Sequence, residues 1–201
     1  MTSIESVTLE VTDPAATEDF YRTAFGLTSQ VQVRESQAPT DGFRGYTLSL
    51  TAAQPANARA LIDAALSVGA TTIKPAAKSF WGFGGVVQAP DGALWKIATS
   101  EKKDSGPARQ EFDQLVLLLG VADMNASKAF YVEHGLEVAK SYGRKYVEFA
   151  APGPVKLALY GHQALAKDAG VPPAGSGSHR LAIGNDHGEF TDLDGFSWEK
   201  A

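Results

Sequence analysis

The residues with the most chemical potential end two matching stretches. Asp91-Gly92-Ala93-Leu94-Trp95-Lys96 returns as Asp194-Gly195-Phe196-Ser197-Trp198-Glu199. Asp-Gly is the pair that turns requiring positive φ favour, so each stretch reads as a tight turn feeding a short strand. Side chains alternate along a strand. Trp95 and Trp198 therefore share one face, read as core, and Lys96 and Glu199 take the other. One copy ends in an ammonium that only donates hydrogen bonds, the other in a carboxylate that only accepts them. Brought together they would form an ion pair or an acid/base couple. Kept apart, Lys96 is a solvated strand end and Glu199 a frayed terminus.

Further candidates lie between these stretches. Phe80, Trp81 and Phe83 sit among glycines in the run Ser79 to Gly85. They read either as the lining or lid of a cavity for an apolar or planar ligand, or as core at a sheet edge. Thr8 and Glu10 share a strand face with Ser6, and Glu148 and Tyr160 alternate onto the corresponding side of the second half. Glu148 would be a general base only if buried. Of the 4 histidines, His179 opens a strand, His134 lies at a helix end where the dipole favours it, and His162 and His187 fall in loops. The chain carries no phosphate-binding G-x-x-x-x-G-K-[ST] loop and no G-x-S-x-G nucleophile elbow.

Composition narrows the class. The 201 residues suffice for one large domain or two small ones, and 44% hydrophobic with 20% charged is ordinary for a globular protein. Cysteine is absent, which excludes disulfides, thiol nucleophiles and thiolate metal sites and fits a cytoplasmic location. The net charge of −5, without a Lys/Arg cluster, speaks against nucleic acid as a partner. No apolar run approaches the ~20 residues of a membrane span. The start of the chain has no basic region leading into an apolar stretch, so no signal peptide is expected.

The elements that must position the candidates follow from periodicity. Ile4 to Val11 alternates as a half-buried strand, and Asp13-Pro14 starts a helix that Gly26 ends. Residues 29–43 are polar and unassigned. Gly45 to Thr51 is a strand, Pro55 opens a helix stopped at Gly69, and Thr71 to Ile73, Val86-Val87 and Leu94 to Ala98 are strands. Residues 100–111, with Gly-Pro among charges, read as a linker. The pattern then restarts: a strand from Phe112 to Leu119, a helix capped by Asp123 and stopped by Gly135, and a hairpin from Lys145 to Tyr160. A short helix from Gln163 to Ala169, a flexible loop over 170–178 and a strand from His179 complete it.

The two halves match in order: Asp13 with Asp123, Phe20-Tyr21 with Phe130-Tyr131, Gly26-Leu27 with Gly135-Leu136, and the two Asp-Gly-x-x-Trp endings. A repeat of this length means two copies of one supersecondary unit, whose uncovered sheet faces should meet or enclose a cavity. With its D-P…F-Y…G-L opening and D-G-x-x-W-x ending, the chain resembles, over essentially its whole length, the vicinal oxygen chelate superfamily. That superfamily includes glyoxalase I, bleomycin-resistance proteins, fosfomycin-resistance transferases and extradiol dioxygenases. The resemblance implies an α+β fold of two tandem βαβββ modules, 1–99 and 112–201, joined by the 100–111 linker and packed as a pseudo-twofold unit. The modules would pair within one chain or swap between two, so a homodimer is admitted.

The resemblance also implies where a metal would sit. Members of the superfamily hold a divalent metal on a His or Gln near the start of each module's first strand and on a Glu after the D-G-x-x-W turn. The matching positions here are Ser6, Lys96, Gln114 and Glu199. Gln114 and Glu199 offer oxygen, Ser6 is a poor ligand, and the Lys96 ammonium repels a cation. The expectation is therefore a protein that binds a small apolar or aromatic molecule in a cavity between modules without a metal. In it the Lys96 ammonium takes the metal's place beside Glu199, with Ser6, Thr8, Gln114, Trp81, Phe83 and Tyr160 around the ligand. Two alternatives stay open. One is a lyase, isomerase or dioxygenase using Zn, Ni, Mn or Fe on Gln114 and Glu199; the other is a metal-free enzyme with Lys96 or Glu199 in acid/base roles.

Overall fold

Residues 2–201 are described in the computed structural model of the protein. In chain order the elements are β1 (Ile4–Val11), α1 (Pro14–Phe25), β2 (Val31–Glu35), β3 (Thr40–Gly42), β4 (Tyr46–Thr51), α2 (Pro55–Ser67), β5 (Thr71–Ser79), β6 (Gly82–Gln88) and β7 (Leu94–Thr99). The second half continues with β8 (Gln114–Val121), α3 (Met124–Glu133), β9 (Glu137–Ser141), β10 (Tyr146–Ala150), β11 (Val155–Gly161), α4 (His162–Ala169), β12 (Gly175–Gly177), β13 (Leu181–Asn185), β14 (Phe190–Thr191) and β15 (Ser197–Lys200).

The repeated D…F-Y…G-L signature is helix punctuation. Asp13 accepts a hydrogen bond from the Ala16 N–H at the start of α1, and Asp123 accepts from Asn125 and Ala126 at the start of α3. Each carboxylate satisfies donors that the first helical turn leaves free. Gly26 (φ 67) and Gly135 (φ 84) follow the helices in the left-handed conformation that glycine adopts without strain. The next residues, Leu27 and Leu136, turn back and are buried, their N–H groups bonded to the carbonyls of Tyr21 and Tyr131.

The strands assemble by exchange across the linker. One sheet has eight strands in the order β5-β6-β7-β4-β8-β11-β10-β9. Its left half is the unit β4-α2-β5-β6-β7 and its right half the unit β8-α3-β9-β10-β11, each ordered first, fourth, third, second. They meet along antiparallel β4 and β8, with Leu48 opposite Leu117. The other sheet has five strands, β14-β15-β13-β1-β2, centred on antiparallel β1 and β13 with Val7 opposite Ile183. It joins the beginning of the chain to its end through two reduced units, β1-α1-β2 and β13-β14-β15. The tandem α+β repeat is thus present with a finer grain than two modules, and both sheets draw strands from either side of residues 100–111.

A single apolar cluster runs through Val7, Leu9, Tyr21, Leu48, Leu61, Trp95, Leu117, Tyr131 and Trp198. In the eight-stranded sheet Leu48, Leu50, Leu117 and Leu157 point into this core. The opposite face carries Ser49, Lys96, Val116, Leu118, Ala158 and Tyr160. The sequence pattern leaves that face open, yet α4 lies on it, burying Leu165, Ala166 and Ala169 against Leu118, Ala158, Phe43 and Leu94.

Several elements differ from expectation for identifiable reasons. β5 runs on to Ser79 through Pro75, because it is an edge strand with register shifts on both sides of Lys74, where a missing N–H costs no ladder bond. β9 is wholly exposed and so shows no buried alternation. Residues 175–177, expected to be loose, form β12 and pair with β3. Among the described residues no helix is long and apolar enough to cross a membrane.

Candidate functional site

The topology separates the two residues that the repeat makes equivalent. Lys96 ends the unit that lies in the eight-stranded sheet, and Glu199 ends the unit in the five-stranded sheet. The expected Lys96–Glu199 pair is therefore not formed. Lys96 Nζ instead donates to Asp168 Oδ2 at 2.6 Å, and Asp168 comes from α4. Glu199 is held by Arg34, whose guanidinium lies 3.1 Å from both carboxylate oxygens and also bonds Glu10 at 2.7 Å. These contacts raise the Arg34 pKa still further, the Glu199 bond contributing most and the Glu10 bond next. A cation does stand between carboxylates near the end of the second repeat, but it is Arg34 from the stretch left unassigned in the sequence.

The remaining candidates divide between the same two faces. Ser6 is buried opposite Gly184, and Thr8 stands half-buried opposite Ala182, both on the five-stranded sheet and away from Lys96. Gln114 lies exposed at the start of β8, opposite Thr51 on the Lys96 face. Tyr160 is on that face too, edge-on to Tyr146 at 5.1 Å; burial, with Asp168 nearby, raises its pKa. Glu148 is bound by Tyr146 Oη at 3.0 Å and by Lys140, a part-exposed ion pair that does not fit a buried general base. His179 is structural, with its ring nitrogens against the carbonyls of Arg44 and Asp194 and its plane stacked on Phe196 at 4.0 Å.

The metal implied by the resemblance can be tested against these donors. Gln114 and Glu199 lie in different sheets and cannot share one ion. Ser49 on β4 and Val86 on β6 flank Lys96 in the eight-stranded sheet, and neither offers a strong ligand. On the other sheet both carboxylates are already bonded to Arg34. Among the described residues no group of three or more His, Asp or Glu side chains gathers at ligating distance. The residues present do not fit the metal.

A groove of about 510 Å³ does bring several candidates together. Lys96, Ala98 and Thr51 form its floor, Lys74, Lys78 and Gly85 its outer wall, Asp168 its α4 side, and Trp81 its rim. Lys74 Nζ donates to the Asp168 backbone carbonyl at 2.8 Å, so β5 and β7 both hold the end of α4. Trp81 is 82% exposed at the β5–β6 turn. Phe83 borders the groove, but it is buried in the core under the Arg59 guanidinium at 5.2 Å, which makes it a wall and not a lid. Close packing restricts the floor: a side-chain carbon at Gly84 would sit 2.7 Å from Ala98 Cβ. Sequence reasoning missed Asp168, Lys74 and Lys78. No simple alternation marks the lysines, because β5 shifts register between Lys74 and Ala77, around Pro75.

With this geometry in place, comparison with known proteins locates the fold. No protein-family model and no curated protein matches the chain. Among solved structures, glyoxalase I from Zea mays superposes with a TM-score of 0.64 at 15% identity, covering 98% of this chain and 91% of that one. A variant of the maize enzyme gives 0.63 at 14% identity, with 98% and 91% covered. A Bacillus subtilis protein provisionally named a dioxygenase gives 0.55 at 14% identity, covering 96% of this chain and 71% of that one. Over 98% of its length, the chain has the fold of glyoxalase I.

Proposed function

We propose that the protein binds a small aromatic or otherwise apolar molecule carrying an acidic group, in the groove beside Lys96 and without a metal. One observation carries this reading: the groove places three lysines against a single carboxylate, with an exposed tryptophan at its rim. Lys74, Lys78 and Lys96 outnumber Asp168, so the groove has a net positive charge. Trp81 offers a flat apolar surface on which a ring can stack. Binding is favoured over catalysis because the lining holds one ion pair and no second positioned acid or base. The chemistry named for the structural neighbours is not carried over. The resemblance implies a metal for it, and the donor set does not fit one.

Calorimetric titration with 2-naphthoate and its neutral amide, with Trp81 emission followed in parallel, tests the proposal. The acid is expected to bind at least tenfold tighter than the amide, a difference of about 1.4 kcal/mol. Lys96→Gln and Trp81→Ala should each weaken the acid. Asp168→Asn, which frees Lys96 from its internal partner, should strengthen it several-fold. Equal affinity for acid and amide, or indifference to both Lys96→Gln and Trp81→Ala, would sink the reading.

A further inference from the structure

The two most exposed large apolar side chains among the described residues are neighbours. Phe80 is 79% and Trp81 82% exposed, at the two-residue turn between β5 and β6. Turns of this length favour Gly, Asn and Asp, so turn chemistry does not call for two aromatic rings here. The turn itself is held in place. The Ser79 hydroxyl accepts from the Trp81 N–H at 3.2 Å. Gly82 takes φ +133, and a side-chain carbon there would collide with the Thr99 carbonyl oxygen. The backbone is thus pinned against the end of β7 while the rings project outward, edge-on to each other at 5.0 Å.

The fold surrounds this tip with cations. Lys102, just past the end of β7, places its Nζ 5.3 Å from the centre of the Phe80 ring. Lys103 beside it and Lys78 on β5 are exposed as well. Of the two carboxylates in residues 100–104, Asp104 is taken by Arg59 and the Ala56 N–H, which leaves Glu101 against the three lysines. The tip is therefore locally positive on a chain whose net charge is −5. The sequence does not display this cluster, because only the pairing of β5, β6 and β7 brings Lys78 to the Lys102-Lys103 pair.

We infer that the β5–β6 tip docks the protein on an anionic lipid surface. Phe80 and Trp81 enter the interface, and Lys78, Lys102 and Lys103 meet the negative headgroups. Aromatic rings favour the headgroup level of a bilayer, and basic side chains beside them add attraction to an anionic leaflet. Area argues against a protein as the occupant. Two aromatic side chains bury about 150–250 Å² each, well short of the ~800 Å² per partner of a stable protein interface, and the residues around them are charged. Docking by so small an element is reversible and weakened by salt. The inference goes beyond the ligand reading, since Phe80, Lys102 and Lys103 line no part of the groove at Lys96.

Vesicles of equimolar phosphatidylcholine and phosphatidylserine are the probe, with pure phosphatidylcholine as the control. In cosedimentation the full chain should partition at least tenfold more strongly to the mixed vesicles, and molar salt should remove the preference. Trp95 and Trp198 are buried, so quenching by acyl-brominated lipid reads Trp81 alone. Phe80→Ser should weaken partitioning at least fivefold. It should leave the melting temperature unchanged, because Phe80 lies outside the core, and 2-naphthoate affinity within twofold of the parent. If that variant fails to fold, the double variant Lys102→Glu, Lys103→Glu decides, and it should abolish the preference for anionic vesicles. No binding of the parent to mixed vesicles would overturn the inference. So would binding without quenching of Trp81, or partitioning unchanged in both variants. Self-association without vesicles that Phe80→Ser abolishes would overturn it too, by making a second copy of the chain the occupant.

Discussion

Tyr21 and Tyr131 explain why an aromatic pair in each helix travels with an acidic turn far along the chain. Tyr21 Oη donates to Asp91 Oδ2 at 2.8 Å and accepts from Trp95 Nε1 at 3.3 Å. In the second half Tyr131 donates to Asp192, two residues before the Asp-Gly pair, while Asp194 accepts from the Ala122 N–H at 2.8 Å, next to the Asp123 cap of α3. Each helix is thereby fastened to a turn by a buried bond, and both tryptophans are core, as the alternation along the strand requires. Tyr21→Phe should cost about 1–3 kcal/mol by leaving a buried carboxyl short of a donor, which a thermal melt would register as a drop of several degrees. Burial, only partly offset by the Ala93 N–H and Tyr21, raises the Asp91 pKa above 3.8; Asp192 is raised the same way, offset by Tyr131. In that direction the native state holds protons that the unfolded chain has released, so stability is full below pH 3.8 and falls as pH rises through the folded values. Asp91→Asn should therefore gain on the parent as pH rises from about 4 to 7 in urea titrations. A constant difference across that range would rule the linkage out.

At the scale of elements, the linker does more than its composition suggests. Gln54 precedes α2 without capping it, and residues 100–111 supply the missing acceptors and donors. Asp104 accepts from the Ala56 N–H at 2.6 Å and pairs with Arg59 at 2.7 Å, an N-cap contributed from another part of the chain. Gln54 Oε1 in turn accepts from the N–H groups of Ser105 and Gly106. Gln110 reaches the carbonyls of Thr23 and Ala24 at the end of α1. Asp104→Ala should cost about 1 kcal/mol, the usual worth of a cap, with Asp104→Asn retaining most of it in chemical denaturation; equal losses in the two would argue against capping. Such contacts are not legible in a sequence, because a polar segment looks the same whether solvated or bonded. Helix starts and stops were legible, since Asp13, Gly26, Asp123 and Gly135 act on their neighbours. The partners of Lys96 and Glu199 were not. Asp168 and Arg34 lie in stretches whose own patterns say nothing about which sheet face they reach.

At the scale of the whole molecule, the sequence repeat and the sheets divide the chain differently. The repeat breaks at 100–111, whereas the β4–β8 and β1–β13 seams each join strands from opposite sides of that break. This exchange sends Lys96 and Glu199 to separate faces, so a pairing inferred from sequence equivalence fails even though the equivalence is real. It also makes the halves depend on each other. Without the second half, β1 and β4 would each lose an antiparallel partner, exposing backbone edges together with the rows of Val7 and Leu9 and of Leu48 and Leu50. Residues 1–99 and 112–201, produced separately, should therefore lack cooperative melts as monomers and elute as aggregates or exchanged oligomers in gel filtration. Mixed in equal amounts, they should regain the near-ultraviolet circular dichroism of packed Trp95 and Trp198. A monomeric 1–99 fragment that melts cooperatively near the temperature of the full chain would show that the seams are docking contacts between self-sufficient halves and not the closure of shared sheets.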